Sequence, residues 1–193
     1  RLSSLDGIEI DPLLLDLLAS EPRVMPHIHL SLQHVDDLIL KRMKRRHSRA
    51  QAAALVETLR RRRPEIAFGA DLIAGFPTED EAAHLANLSL IAELGLVHLH
   101  VFPYSARSKT PAARMPQLPH ATIRKRAAEL RQAAATERAR WLSSQLGHSH
   151  RVLAERDGTG HAENFARVRL APGIAAGTIV TVIPTRVEQG LLA

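Results

Sequence analysis

The 193-residue chain contains no cysteine. That excludes disulfides, thiolate catalysis and any thiolate-held metal or iron–sulfur centre built from these residues alone. Aromatic residues are scarce, with one Trp, one Tyr and four Phe, so stacking surfaces are few. Lysine is nearly absent as well: of 26 basic residues, only Lys41, Lys44, Lys109 and Lys125 are lysines. No apolar run reaches the length of a membrane span. The start carries no signal-peptide pattern, so a cytoplasmic location is expected. Arg1 stands where a Met would open a gene product and leads at once into strand-like Leu2-Ser3-Ser4-Leu5. That is the pattern of a domain's middle, and it leads us to expect that an N-terminal part is missing.

What is present is arginine and apolar residues. The net charge of +6 and the sequence pI of about 10.6 point to a polyanionic partner. Guanidinium groups suit bidentate contact with phosphate and stacking on bases. Hydrophobic residues make up 45% of the chain, enough to bury a core in one large domain or in one medium and one small domain.

The stretch Ala70–Glu81 reads as a buried strand, a Gly/Pro turn and a helix start, with Thr78 as N-cap and Glu81 completing a capping box. Gly75 permits close backbone approach at the strand's end. Around it, strand and helix patterns alternate. Strand patterns cover 1–5, 27–33, 66–74 and 96–102. Helix patterns follow Asp11-Pro12, Asp36 or Asp37 (through Arg46), Ser48 with Gln51, and Thr78, and a long Arg- and Ala-rich one spans roughly 122–146. The helix after Thr78 is expected to turn Leu85, Leu88 and Ala92 inward. A loop with four prolines, 103–119, precedes the long helix. From His148 the pattern changes to short β segments at 151–155, 166–170 and 178–183, separated by Gly/Pro turns. We therefore expect an α/β region over 1–147 with a parallel sheet, then a small all-β barrel or sandwich over 148–193. Four βα units are too few to close an eight-stranded barrel.

Three constellations carry chemistry. The strand ends Ser3-Ser4, Gln33-His34, Gly75-Phe76-Pro77 and Pro103-Tyr104-Ser105 converge on one mouth if the sheet is parallel, a setting for a polar cofactor with a ribose and an adenine. His27, His29, His98 and His100 pair up on the faces of two strands, with Asp71 the one clear carboxylate nearby. Sequence assigns no metal-ligand set among them, and a His-rich metal-dependent hydrolase stands only as a minor alternative. Lys41, Arg42, Lys44, Arg45 and Arg46 form the densest positive run, suited to a phosphate backbone. In the β region His161, Asn164, Phe165, Arg167 and Arg169 have the composition of a small RNA-binding barrel.

In order, Arg1-Leu2-Ser3-Ser4-Leu5-Asp6, His29-Leu30-Ser31-Leu32-Gln33, Leu40–His47, Asp71-Leu72-Ile73-Ala74-Gly75-Phe76-Pro77-Thr78-Glu79 and His100-Val101-Phe102-Pro103-Tyr104-Ser105 resemble the radical SAM tRNA methylthiotransferases. The basic run and paired histidines look most like the branch acting on threonylcarbamoyladenosine beside the anticodon. The resemblance covers essentially the whole chain, and the region from about His148 looks like the family's tRNA-binding TRAM domain. It implies the C-terminal part of a (βα) radical SAM partial barrel followed by a TRAM barrel. It further implies an intact enzyme in which a 4Fe-4S cluster reduces S-adenosylmethionine to a radical that attacks the adenine C2 of tRNA. A second cluster, a sulfur donor and an electron donor would take part, and a second S-adenosylmethionine would supply methyl.

By the same resemblance, Ser3, Ser4, Gln33, Ile73, Gly75 and Tyr104 would lie at the cofactor. Lys41, Arg42, Lys44, Arg45, Arg46, Asn164, Phe165, Arg167 and Arg169 would hold tRNA. Two segments depart from the family pattern: Gln33-His34-Val35 replaces Gln-Ser-Gly, and Arg107-Ser108-Lys109-Thr110 replaces Arg-Pro-Gly-Thr. The cysteine loop that binds the cluster is not in this sequence, so the chain alone is expected to be inactive. The other reading kept open is a non-catalytic, basic RNA-binding remnant.

Overall fold

Four parallel strands lie side by side in chain order: β1 (Leu2–Leu5), β2 (His27–Gln33), β3 (Ala67–Ala74) and β4 (Leu96–Pro103). This computed structural model describes residues 2–193; Arg1 and the side chain of Ser3 lie outside the described residues. Parallel neighbours need a crossover, and helices provide each one. They are α1 (Pro12–Ser20), α2 (Asp37–Arg42) with α3 (Arg49–Arg62), and α4 (Glu81–Glu93); α5 (His120–Ser144) follows β4.

Local chemistry sets most of the helix starts. Asp11 caps α1 with Pro12 at the first helical position, Asp36 caps α2, and Ser48 with Gln51 forms a reciprocal capping box on α3. Two expectations need correction. Helix α2 ends at Arg42, so residues 44–47 are loop. The cap of α4 is Asp80, whose carboxylate accepts the Ala83 N–H at 2.8 Å, not Thr78. A cap needs extended backbone, which Asp80 has, whereas Thr78 sits at φ +70° with its hydroxyl bonded to the Pro77 carbonyl.

Strand alternation sorts the two faces of the parallel sheet. Ile28, Leu30, Leu32, Phe68, Ala70 and Leu72 belong to the main core, together with Leu18, Val56, Leu59, Leu90, Ile91 and Leu130 from the helices. The other face carries His27, His29, Gln33, Asp71, Ile73, His98, His100 and Phe102. Helix α4 buries Ala83, His84, Asn87, Leu90 and Ile91, while Leu85 is exposed. The expected inward face, with Leu85 and Ala92, is thus rotated, because two polar side chains find partners inside. The Asn87 Oδ1 accepts the Val35 N–H at 3.1 Å, and His84 Nε2 meets Glu129 at 2.7 Å.

The remaining strands form a mixed six-stranded sheet in the order β8-β5-β6-β7-β10-β9: β5 (His150–Ala154), β6 (Thr159–His161), β7 (Arg167–Arg169), β8 (Ile179–Val182), β9 (Val187–Glu188) and β10 (Leu191–Leu192). Its pairs are antiparallel except β7 with β10. Sequence patterning found β5, β7 and β8; the other three have two or three residues, too few to show a period. Val152, Ala154, Ala162, Val168 and Leu192 make a second core. Leu142 of α5 belongs to it and Trp141 packs on it, so the end of the long helix anchors the β region.

Candidate functional site

The C-terminal ends of the parallel strands do gather polar groups, but in two cavities. One, of about 390 Å³, is lined by Gln33 and Ile73 from β2 and β3, by Arg42 at the end of α2 with Met43, Lys44 and Arg45 after it, and by Thr110–Ala112 of the proline-rich loop. Gln33 holds φ +63°, a left-handed conformation that turns the chain sharply at the mouth. The second cavity, about 770 Å³, lies along the histidine-bearing face and includes Ser4, His29, Asp71, His98, His100, Phe102 and Phe165. Ser4 is therefore beside the histidines, apart from Gln33. Nothing is described of the Ser3 side chain.

Gly75 and Tyr104 lie behind the first cavity. Gly75 has φ +74°, and a Cβ there would come within 2.7 Å of Ile123 on α5, so the close approach this glycine allows is to a helix. Its N–H donates to Glu79 Oε2 at 2.9 Å. The Tyr104 ring packs edge-on against Phe76, and its buried hydroxyl has no hydrogen-bond partner among the described residues. The same holds for Nε of Arg45. Buried donors without partners cost stability; Arg45 lines the first cavity, whereas Tyr104 stands behind it.

Behind the mouth stands a buried carboxylate, Glu79, in the turn between β3 and α4. Glu79 is fully buried. Besides Gly75, it accepts from Arg126 Nη1 at 2.9 Å and from His34 Nε2 at 3.2 Å. The Asp36 N–H donates to His34 Nδ1 at 3.0 Å, which makes His34 the neutral tautomer with its proton on Nε2. Burial would raise the Glu79 carboxyl, but His34, Arg126 and the Gly75 N–H together hold it below the usual carboxylate range. The departure His34-Val35 thus faces the interior: His34 ties β2 to the turn after β3, and Val35 joins the main core.

The basic run splits on folding. Arg45 Nη2 donates to the Ser31 carbonyl at 2.5 Å and lies 3.8 Å from Asp6. Arg42 donates to Thr78 Oγ1 at 2.5 Å, and Arg46 pairs with Glu9 at 3.1 Å. Lys41 and Lys44 are exposed and make no ion pair among the described residues. In the β region Arg167 pairs with Asp157 at 2.5 Å and Arg169 with Glu188 at 3.7 Å. Asn164 is buried, bonding Gln145 through Nδ2 and the Ala166 N–H through Oδ1. Phe165, at φ +69°, stacks on His161 and leans against His27 and His98. It wedges the two regions together where sequence reasoning assigned it to RNA.

The four strand histidines separate into two kinds. His98 accepts from Arg138 Nη1 at Nδ1 (2.9 Å) and points Nε2–H at the Asn164 carbonyl (3.3 Å), so its tautomer is neutral. Burial first, then Arg138 and His27, push its pKa down to about 3. His29 and His100 instead converge on Asp71, at 2.9 and 3.1 Å from Oδ1.

Comparison with known proteins adds kinship to this geometry. The Radical SAM superfamily pattern matches residues 4–91. Over 192 residues, all of this chain and 46% of the relative's length, the sequence is 45% identical to the threonylcarbamoyladenosine tRNA methylthiotransferase MtaB of Rickettsia prowazekii (strain Madrid E). It is 34% identical to the protein of the same name from Chlamydia pneumoniae, over 98% of this chain and 47% of the relative. A tRNA-2-methylthio-N(6)-dimethylallyladenosine synthase of Cereibacter sphaeroides (strain ATCC 17025 / ATH 2.4.3) is 35% identical over 88% of this chain and 40% of its own length. The chain spans about half the length of these curated relatives.

Proposed function

Because this chain belongs to the radical SAM family, we propose that it is the cofactor-wall and tRNA-holding part of a threonylcarbamoyladenosine tRNA methylthiotransferase. The observation that carries the reading is the end-to-end 45% identity with one such enzyme, on a chain whose parallel sheet presents a polar mouth. Gln33 and Ile73 would line the S-adenosylmethionine site, with Gly75 and Tyr104 supporting it from behind, while Ser4 stands apart in the second cavity. S-adenosylmethionine supplies the radical chemistry and the methyl group in the reaction proposed. Iron–sulfur clusters do not fit these residues, since no thiolate is available to hold one, and no step is assigned to a cluster in this chain.

The work left to these residues is binding and orientation. Buried Glu79 fixes the Gly75 turn, His34 and Arg126, so the strand-end wall is rigid before any ligand arrives. The six-stranded β region would act as a TRAM-type barrel. At α2 and the loop after it, Lys41 and Lys44 would meet phosphate most directly. Arg42, Arg45, Arg46, Arg167 and Arg169 would first have to give up protein partners.

Gel shift of tRNA by the full chain tests the RNA part. Affinity should fall as salt rises, since each phosphate contact releases counterions. Lys41→Glu with Lys44→Glu should weaken binding and flatten the log–log salt slope by about two. Binding that ignores both salt and these charges would refute the tRNA role.

A further inference from the structure

We propose that His29, Asp71 and His100 form a three-ligand site for a divalent transition ion, with zinc favoured, opening onto the cavity along the inner face of the parallel sheet. The inference rests on side chains of this chain alone and is independent of the function proposed above. It concerns an imidazole and carboxylate site, chemically unlike any iron–sulfur centre.

Sheet register builds the cluster. Asp71 on β3 is the direct neighbour of His100 on β4, and His29 on β2 pairs with Gly69, two residues before Asp71. All three therefore sit on one face of three adjacent strands, offset by no more than two residues in register. Gly69 makes the diagonal reach possible. A Cβ there would collide with Nδ1 of His29 and come within 2.7 Å of the His98 carbonyl, so only glycine leaves room for the His29 ring. That ring is held rigidly, with 8% of its side chain exposed.

The donor atoms have the spacing an ion needs. His29 Nε2, an Asp71 oxygen and His100 Nδ1 lie within 4.8 Å of one another. Two edges, 2.9 and 3.1 Å, are close to the roughly 3.3 Å edge of a tetrahedron with bonds of about 2.0–2.1 Å. Charge points the same way. Asp71 is a half-buried carboxylate in a chain of net charge +6, yet no Lys or Arg pairs with it among the described residues. The two arginines lining the same cavity are engaged elsewhere, Arg131 with the Val101 carbonyl and Arg138 with His98. Two imidazoles and one carboxylate suit zinc and its first-row neighbours. Three protein ligands leave at least one position for water or a ligand atom from the cavity, which also presents half-exposed Phe102.

The test is titration of the chelator-stripped full chain with Co²⁺, read by visible d–d absorption, followed by competition with Zn²⁺. The inference expects one ion per chain, displaced by zinc and bound more weakly as pH falls, because the imidazoles must lose protons to bind. His100→Ala and Asp71→Asn should each cost at least about tenfold in affinity. His148→Ala, an exposed histidine outside the cluster, should change nothing. The His100 side chain is 66% exposed, so its removal leaves the core intact, which circular dichroism can verify. Absence of stoichiometric binding, or binding that survives in both His100→Ala and Asp71→Asn, would overturn the proposal.

Discussion

Single residues here are decided by what they are buried against. His98 looks, in sequence, like the twin of His100, two positions along the same strand. In the fold it is enclosed by Arg138, His27, Trp141 and Phe165, and it stays neutral. Its pKa is pushed down to about 3, below the unfolded value of 6.5. The unfolded chain therefore takes up the proton first. Stability from this group is complete above the unfolded pKa and drains away as pH falls toward the folded one. Between pH 7.5 and pH 5, His98 alone should cost about 2 kcal/mol. Denaturant unfolding across that range should show the loss, and His98→Asn, which cannot titrate, should flatten it. The same contrast applies to glycines. Gly75 was legible as a position of close approach, but that the neighbour is Ile123 follows only from where α5 returns.

At the level of elements, caps and strand alternation were readable because they are set within a few residues. Asp11, Asp36 and the Ser48–Gln51 box act over one helical turn. The misassigned start of α4 has a tertiary cause: Thr78 is held by Arg42 in a left-handed turn, leaving Asp80 to cap. The rotated face of α4 has a similar one, since His84 and Asn87 look like surface residues until their partners on α5 and in the loop after β2 are known. Arg126 is the tie between α5 and the β3–α4 turn. It is buried against fully buried Glu79 and also reaches Glu81 at 3.1 Å. Arg126→Met should leave Glu79 as an unpaired interior charge and cost about 3–5 kcal/mol. The urea midpoint would report the loss, and adding Glu79→Gln should recover part of it. Equal stability of Arg126→Met and the parent chain would exclude this role.

At the level of the molecule, two cores share one helix. The first lies between the parallel sheet and α1, α3, α4 and α5, the second within the mixed sheet, and Leu142 with Trp141 carries α5 into the latter. Phe165 closes the same junction by packing on His27 and His98. Whatever ligand the mouth takes, the absence of cysteine governs redox chemistry in this chain. Reconstituted with iron and sulfide, the purified chain should show no 4Fe-4S absorption and no cleavage of S-adenosylmethionine. A brown, cleaving preparation would contradict this.

Composition and local pattern by themselves determined the order of the helices and of the four parallel strands, the change of grammar near His148, the lack of thiolate ligands and the net positive charge. These follow from periodicity, capping and residue counts, which act over short stretches of chain. Tertiary structure alone decided which charges are free and which are spent. It left Lys41 and Lys44 exposed while turning Arg42 and Arg45 inward, buried Glu79 behind the mouth, and split four similar histidines into a pair packed on Phe165 and a pair facing Asp71. The reason is physical. A side chain's partners lie tens of residues away along the chain, and only sheet register and helix return bring them within reach.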